Sequence, residues 1–171
     1  MKKAIITLVM VLSGFTVKAQ IPQPDPDTTA RHFIIVASIA NLHEVSDGQQ
    51  AVQKGKSSDV RSFGQMMVKD HGQSEQQLMQ LAKSKGYNIP SAATGGIQPD
   101  LTLENAGDNF DRLYVHAMLS GHRSTVQMFE TYATTGKDPD VRAFAQRMLP
   151  TLKAHLAAVT ALNKQFDAAN K

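Results

Sequence analysis

One nine-residue pattern occurs twice in this chain. Asp59-Val60-Arg61-Ser62-Phe63-Gly64-Gln65-Met66-Met67 and Asp140-Val141-Arg142-Ala143-Phe144-Ala145-Gln146-Arg147-Met148 lie 81 residues apart and share six identities. Without gaps, the same offset places Arg31 on Arg112, Phe33 on Tyr114, Val45 on Val126 and Lys56 on Lys137. Amphipathic helices resemble one another loosely, but D-V-R-x-F-x-Q-x-M is too particular for that. A duplicated segment is expected to fold as two like halves related by a pseudo-two-fold axis.

The halves read as helical hairpins. Asp27, Thr28 and Thr29 can cap a first helix running to about Lys54. Its apolar set is Phe33, Val36, Ala37, Ala40, Val45 and Ala51, at helical spacing. After a short turn at Gly55 to Ser57, Ser58 or Asp59 caps a second helix to about Lys85. Its stripe is Val60, Phe63, Met67, Leu78 and Leu81, and Gly86 stops it. A third helix starts near Asp108, carries Phe110, Tyr114, Met118, Gly121, Met128 and Tyr132, and ends at Gly136. Asp138-Pro139 opens a fourth, with proline at its first position. That helix carries Val141, Phe144, Met148, Leu152, Val159, Leu162 and Phe166. Pro150 inside it removes a backbone bond and predicts a kink. No stretch shows the alternation of a strand.

Between the hairpins, Tyr87 to Gly107 holds Pro90, Gly95, Gly96, Pro99 and Gly107, a 21-residue link with room for a helical turn at Leu101 to Ala106. A ~27-residue helix is about 40 Å long, and a link of this length stretches roughly 65 Å. It can return along the whole bundle. The expected fold is therefore an all-α, ferritin-like four-helix bundle over residues 28–171, made of two hairpins joined by one long crossover.

Residues 1–19 read as an export signal: Lys2 and Lys3, an apolar run of about 14 residues, then small residues at Val17 and Ala19. The run is shorter than the ~20 residues a membrane helix needs. Residues 20–27, with three prolines, read as an extended lead-in. The expected location is periplasmic or secreted, with no membrane span in the mature chain. The formal charge of +3 then misleads, because Lys2, Lys3 and Lys18 leave with the signal and 15 basic residues face 15 acidic ones. That balance removes the electrostatic case for a nucleic-acid partner. Zero cysteines exclude disulfides, thiolate metal sites and cysteine nucleophiles.

Each apolar stripe is interrupted once by a strong ligand type. Stepping along the four helices at 3.6 residues per turn puts Glu44, His71 and His155 on inner positions and His122 at or beside one. Glu44 and His71 stand 12 and 15 residues from the first turn, His122 and His155 15 and 18 from the second. With the turns at opposite ends of the bundle, all four converge near its middle. Unpaired polar groups are costly in an apolar core. Neutral imidazoles and a carboxylate are good ligands for Zn, Fe, Mn or Cu. A buried, metal-free Glu-His network is the other reading. His43, beside Glu44, is a spare ligand at most; His32 lies in a first turn and His116 on a solvated face. Asp70, beside His71, either orients a ligand or belongs to the surface. Met66, Met67, Met118, Met128 and Met148 fill the core or supply thioether ligands to copper. Glycine-rich phosphate loops, G-x-S-x-G, H-E-x-x-H and E-x-x-H are absent, so a carboxylate-bridged di-iron centre is disfavoured.

Several stretches carry a resemblance. They are Ala40-Asn41-Leu42-His43-Glu44-Val45, Val60 to His71 with its M-x-x-D-H ending, and Phe110 to Tyr114 with Met118 and His122. Gly136-Lys137-Asp138-Pro139 and Leu149-Pro150-Thr151-Leu152-Lys153-Ala154-His155-Leu156 complete the set. Over about residues 29–165 the chain resembles the exported bacterial proteins of domain-of-unknown-function family 4142, in the ferritin-like superfamily. The resemblance implies a ferritin-like bundle and matches Glu44, His71, His122 and His155 to recurrent polar positions of the family. It implies no reaction.

Three functions follow. The first is an exported bundle that binds, buffers or senses a transition metal through Glu44, His71, His122 and His155. The second is a metal-dependent redox or hydrolytic enzyme, with Tyr114 or Asp70 near the metal. The third is a metal-free envelope stress or interaction protein.

Overall fold

The computed structural model describes residues 28–89, 97 and 100–169. The export signal (1–19) and the proline-rich lead-in (20–27) lie outside the described residues. The elements are α1 (Thr28–Lys54), α2 (Ser58–Ser84), a short α3 (Leu101–Glu104), a 3-10 turn (Gly107–Asn109), α4 (Phe110–Thr135) and α5 (Pro139–Ala169). Among the described residues there is no strand.

The repeated motif explains the turns. Arg61 donates from Nη1 to the carbonyl of Gly55 at 2.9 Å, and Arg142 does the same to Gly136 at 2.7 Å. These glycines are themselves 81 residues apart. The N-cap of α2 is Ser57, rather than Ser58 or Asp59, with its hydroxyl accepting from Asp59 N. Its counterpart Asp138 accepts from Asp140 N at 2.9 Å and Val141 N at 3.1 Å. Such caps satisfy amide groups that have no partner within the helix. Gly86 ends α2 in the left-handed region, at φ 67°.

End contacts fix the topology. The turn between α1 and α2 meets the start of α4: Lys56 N and Ser57 N donate to the Asp111 carboxylate at 2.9 and 2.7 Å. At the other end, Lys85 after α2 pairs with Asp138 at 2.7 Å and Asp140 at 2.9 Å in the second turn. Arg31 near the start of α1 donates to the carbonyl of Asn88 there. The chain therefore leaves α2 at one end and re-enters at α3 and α4 at the other, as a crossover requires. Helix α1 packs on α2 and α4 on α5; across the interface α1 faces α4 and α2 faces α5. The fold is a ferritin-like bundle, and α5 continues through the exposed Pro150 as one helix.

Two apolar clusters fill the ends. One gathers Phe33, Ile34, Phe129, Tyr132 and Phe144, with Phe33 stacked on Tyr132 at 4.2 Å. The other gathers Val60, Phe63, Met67, Phe110, Tyr114 and Val159. The inner line of α1 differs from the expected one. Val36, Ala40 and Val45 are half-buried, whereas Ser38, Asn41, Glu44, Asp47 and Gln50 are buried. The reason lies in the close approach of α2: a Cβ on Gly64 would stand 2.8 Å from both Ala51 Cβ and Gly48 O. Where the two helices come closest the contact is made by Gly48, Ala51 and Gly64, and the face that turns inward beside it is polar.

Candidate metal centre

His71, His122 and His155 meet between the two clusters. His71 and His122 sit at the middle of α2 and α4, and His155 beside the middle of α5. Their exposures are 3%, 0% and 2%. The ring centroids are 5.3–5.5 Å apart. One ring nitrogen from each lies within 4.8 Å of the other two.

The outer nitrogen of each ring is bound to an acceptor, and this sets the tautomers. His71 Nδ1 is 3.0 Å from Asn41 Oδ1. The Asn41 amide nitrogen donates to Ser74 Oγ at 3.2 Å and to Glu75 Oε2 at 3.3 Å, so its oxygen must face the imidazole and accept. His122 Nδ1 donates to the carbonyl of Met118 at 2.9 Å. His155 Nε2 donates to Asp70 Oδ2 at 3.0 Å. The protons therefore point outward. His71 Nε2, His122 Nε2 and His155 Nδ1 are buried with no hydrogen-bond partner. Burial, then the neighbouring imidazoles, lowers His71 to about 3. Burial foremost lowers His122 to about 4, against the Met118 carbonyl. Both rings are neutral at physiological pH.

This is the donor chemistry a transition metal requires: neutral imidazoles, each oriented by an oxygen on its far nitrogen. Three of the four expected ligands come together. Glu44 is buried beside them, but it faces the other side of His122, with Oε1 3.4 Å from Nδ1. Burial, then Asp47, pushes its carboxyl up to about 8. Of the two readings of Asp70, the contact with His155 Nε2 fits a residue that orients a ligand. His32, His43 and His116 are exposed and take no part. Met67 and Met118 are buried one turn before His71 and His122, while Met66, Met128 and Met148 are half-buried.

Two residues were not anticipated. Asn41 lies at the middle of α1 and is the repeat counterpart of His122, so the 81-residue offset pointed to it. Asp47 is buried on the turn after Glu44 and adds a second inner acid, at a position that stepping from Phe33 also reaches. Burial, then Asp100, raises Asp47 to about 6.

A ferritin-like bundle folded from a duplicated hairpin around a three-imidazole centre is the class this geometry defines. The chain belongs to the family described as "Domain of unknown function (DUF4142)", which matches residues 16–162. No curated protein matches its sequence. Among solved structures, it is similar to CopM in the Cu(II)-bound form, with TM-score 0.69, 16% identity, and 80% of this chain and 97% of that one covered. CopM in the Cu(I)-bound form gives TM-score 0.67 and 15% identity over 80% and 96%. A DUF305 fragment from Deinococcus radiodurans gives 0.69 and 12% over 83% and 99%. At these identities the likeness establishes the fold.

Proposed function

We propose that this chain is an exported metal-binding bundle that holds one transition-metal ion on His71, His122 and His155, buffering or sensing it in the cell envelope. Glu44 stands against His122 and completes the polar set. The observation that carries the reading is that the outer nitrogen of each ring is tied to an oxygen acceptor while the three inner nitrogens are buried without a partner. Three unpartnered ring nitrogens gathered in an apolar core are reconciled by a cation.

Imidazole donors suit copper and zinc better than manganese, which prefers oxygen. The CopM structures contain Cu(I) and Cu(II) in a like fold, which favours copper as the first ion to test. Three protein ligands leave a position open, the arrangement catalytic sites use. Near-complete burial of the three rings favours holding an ion over turning over a substrate. Export rests on residues 1–19.

The test is elemental analysis of tag-free protein offered Cu, Zn, Fe and Mn in turn. The expected result is one ion per chain with copper or zinc, lost in His71→Ala. Substoichiometric content with every metal would overturn the reading. Oxygen or peroxide consumption by the loaded protein would move it to the enzyme class.

A further inference from the structure

We propose that Glu44, Asp47 and Tyr114 form a second cation site, built from oxygen donors and suited to a hard divalent ion, beside the imidazole centre. Glu44 and Asp47 lie one turn apart on the same face of α1, and Tyr114 projects from α4 two turns before His122. All three are buried, at 6%, 7% and 0% exposure. Each has an oxygen without a hydrogen-bond partner: Glu44 Oε2, Asp47 Oδ1 and Tyr114 Oη. Helices α1 and α4 face one another across the hairpin interface, so the two acids and the phenol stand on opposed inner faces.

Among the described residues, no lysine or arginine pairs with either acid. Two carboxylates and a phenol oxygen are donors for Mg2+, Ca2+ or Mn2+, and a dication balances the two carboxylates. Glu44 separates the two centres, with Oε1 towards His122 and Oε2 left for the oxygen site. Asp47 also neighbours Asp100, the half-buried N-cap of α3, and His43 on its own helix.

The site deepens the polar layer of the proposed function without depending on the imidazoles, so the two separate experimentally. Mn2+ binding to the tag-free protein is followed by electron paramagnetic resonance, in wild type, Asp47→Asn, Tyr114→Phe and His71→Ala, with copper content measured in parallel. One Mn2+ per chain is expected in wild type and in His71→Ala. Asp47→Asn should weaken it by roughly tenfold or more, and Tyr114→Phe by several-fold, with copper content unchanged in both. Circular dichroism checks the fold, and if Asp47→Asn unfolds, Tyr114→Phe decides. No Mn2+ bound at about 1 mM, loss of Mn2+ in His71→Ala, or indifference to both oxygen-donor variants would overturn the proposal. The first of these outcomes would leave ordered water as the partner of these oxygens. Failure of the imidazole reading would show instead as copper content unaffected by His71→Ala.

Discussion

The two hairpins of this bundle share a turn, a cap and an arginine clasp, yet their inner faces have diverged in opposite directions. Of the two hairpins, among the described residues, the first supplies the acidic groups around the centre: Glu44, Asp47, Asp70 and Glu75. At the positions 81 residues on, the second has Thr125, Met128, Thr151 and Leu156. The second supplies two of the three imidazoles, His122 and His155, where the first has Asn41 and Ser74. It also carries Phe129 and Tyr132 in its core, where the first has Gly48 and Ala51. One half became the oxygen half and the other the aromatic and imidazole half. The difference teaches that a two-fold scaffold can build an asymmetric site, with first-half oxygens orienting ligands drawn from both halves.

The comparison can be broken by exchanging residues between halves. The largest effect is expected from His122→Asn, which copies Asn41 into the second hairpin. It removes a ligand and should lower metal affinity by more than ~100-fold, read by competition with a chelator. Next is Asp70→Asn, which removes the charge behind His155 and moves the first hairpin towards its neutral counterpart. Affinity should fall by roughly tenfold to hundredfold, with the fold retained by circular dichroism.

Gly64→Ala copies Ala145. Its new methyl would meet Ala51 Cβ and Gly48 O at 2.8 Å, so a loss of about 1–3 kcal/mol is expected, measured by urea denaturation. An unchanged midpoint would show that close helix approach is not what separates the two hairpins.

The acid half should also give the metal-free protein a distinctive pH dependence. Glu44 titrates near 8 in the fold against an ordinary 4.5, so between these values the folded state binds more protons than the unfolded chain. Its contribution is present below 4.5 and is lost as pH rises through 8. His71 and His122, lowered to about 3 and 4 from 6.5, act the other way and favour the folded state fully only above 6.5. Stability should therefore rise with pH at the acid end and then fall by about 1–2 kcal/mol between pH 6.5 and 8, as seen in urea midpoints. Glu44→Gln should flatten that fall. The smallest effect belongs to the second hairpin's exposed Lys153–Glu130 pair: Lys153→Ala should change stability by less than ~0.5 kcal/mol.

Much of this was legible in the chain. The motif at Asp59 and Asp140 announced the duplication, and the link after Tyr87 required the crossover. The ligand types interrupting apolar stripes led to His71, His122 and His155, because a buried imidazole on an amphipathic face stands out. Asn41 did not stand out, whereas Asp47 lies on the same stepped line as Glu44 and was legible there. Stepping from Phe33 at the ideal helical period lands on Ala40, an apolar residue that satisfied expectation, while the true inner line runs through Asn41. Short polar side chains read as surface until a partner helix covers them, and here the covering comes from the glycine approach of α2. The division of labour around each ring, with one nitrogen tied and one free, depends on which acceptors reach it from other turns and helices. No spacing rule within one helix contains that information.

The three rings are not drawn from one hairpin: His71 belongs to the first and His122 and His155 to the second. An ion held by all three would act as a rivet through a duplicated chain. Its departure would require the halves to part at the middle of the bundle, far from the turns and caps that close the ends. Release would then be governed by the breathing of the scaffold more than by the strength of any single bond, and the loaded protein would resist unfolding in proportion to the free ion around it.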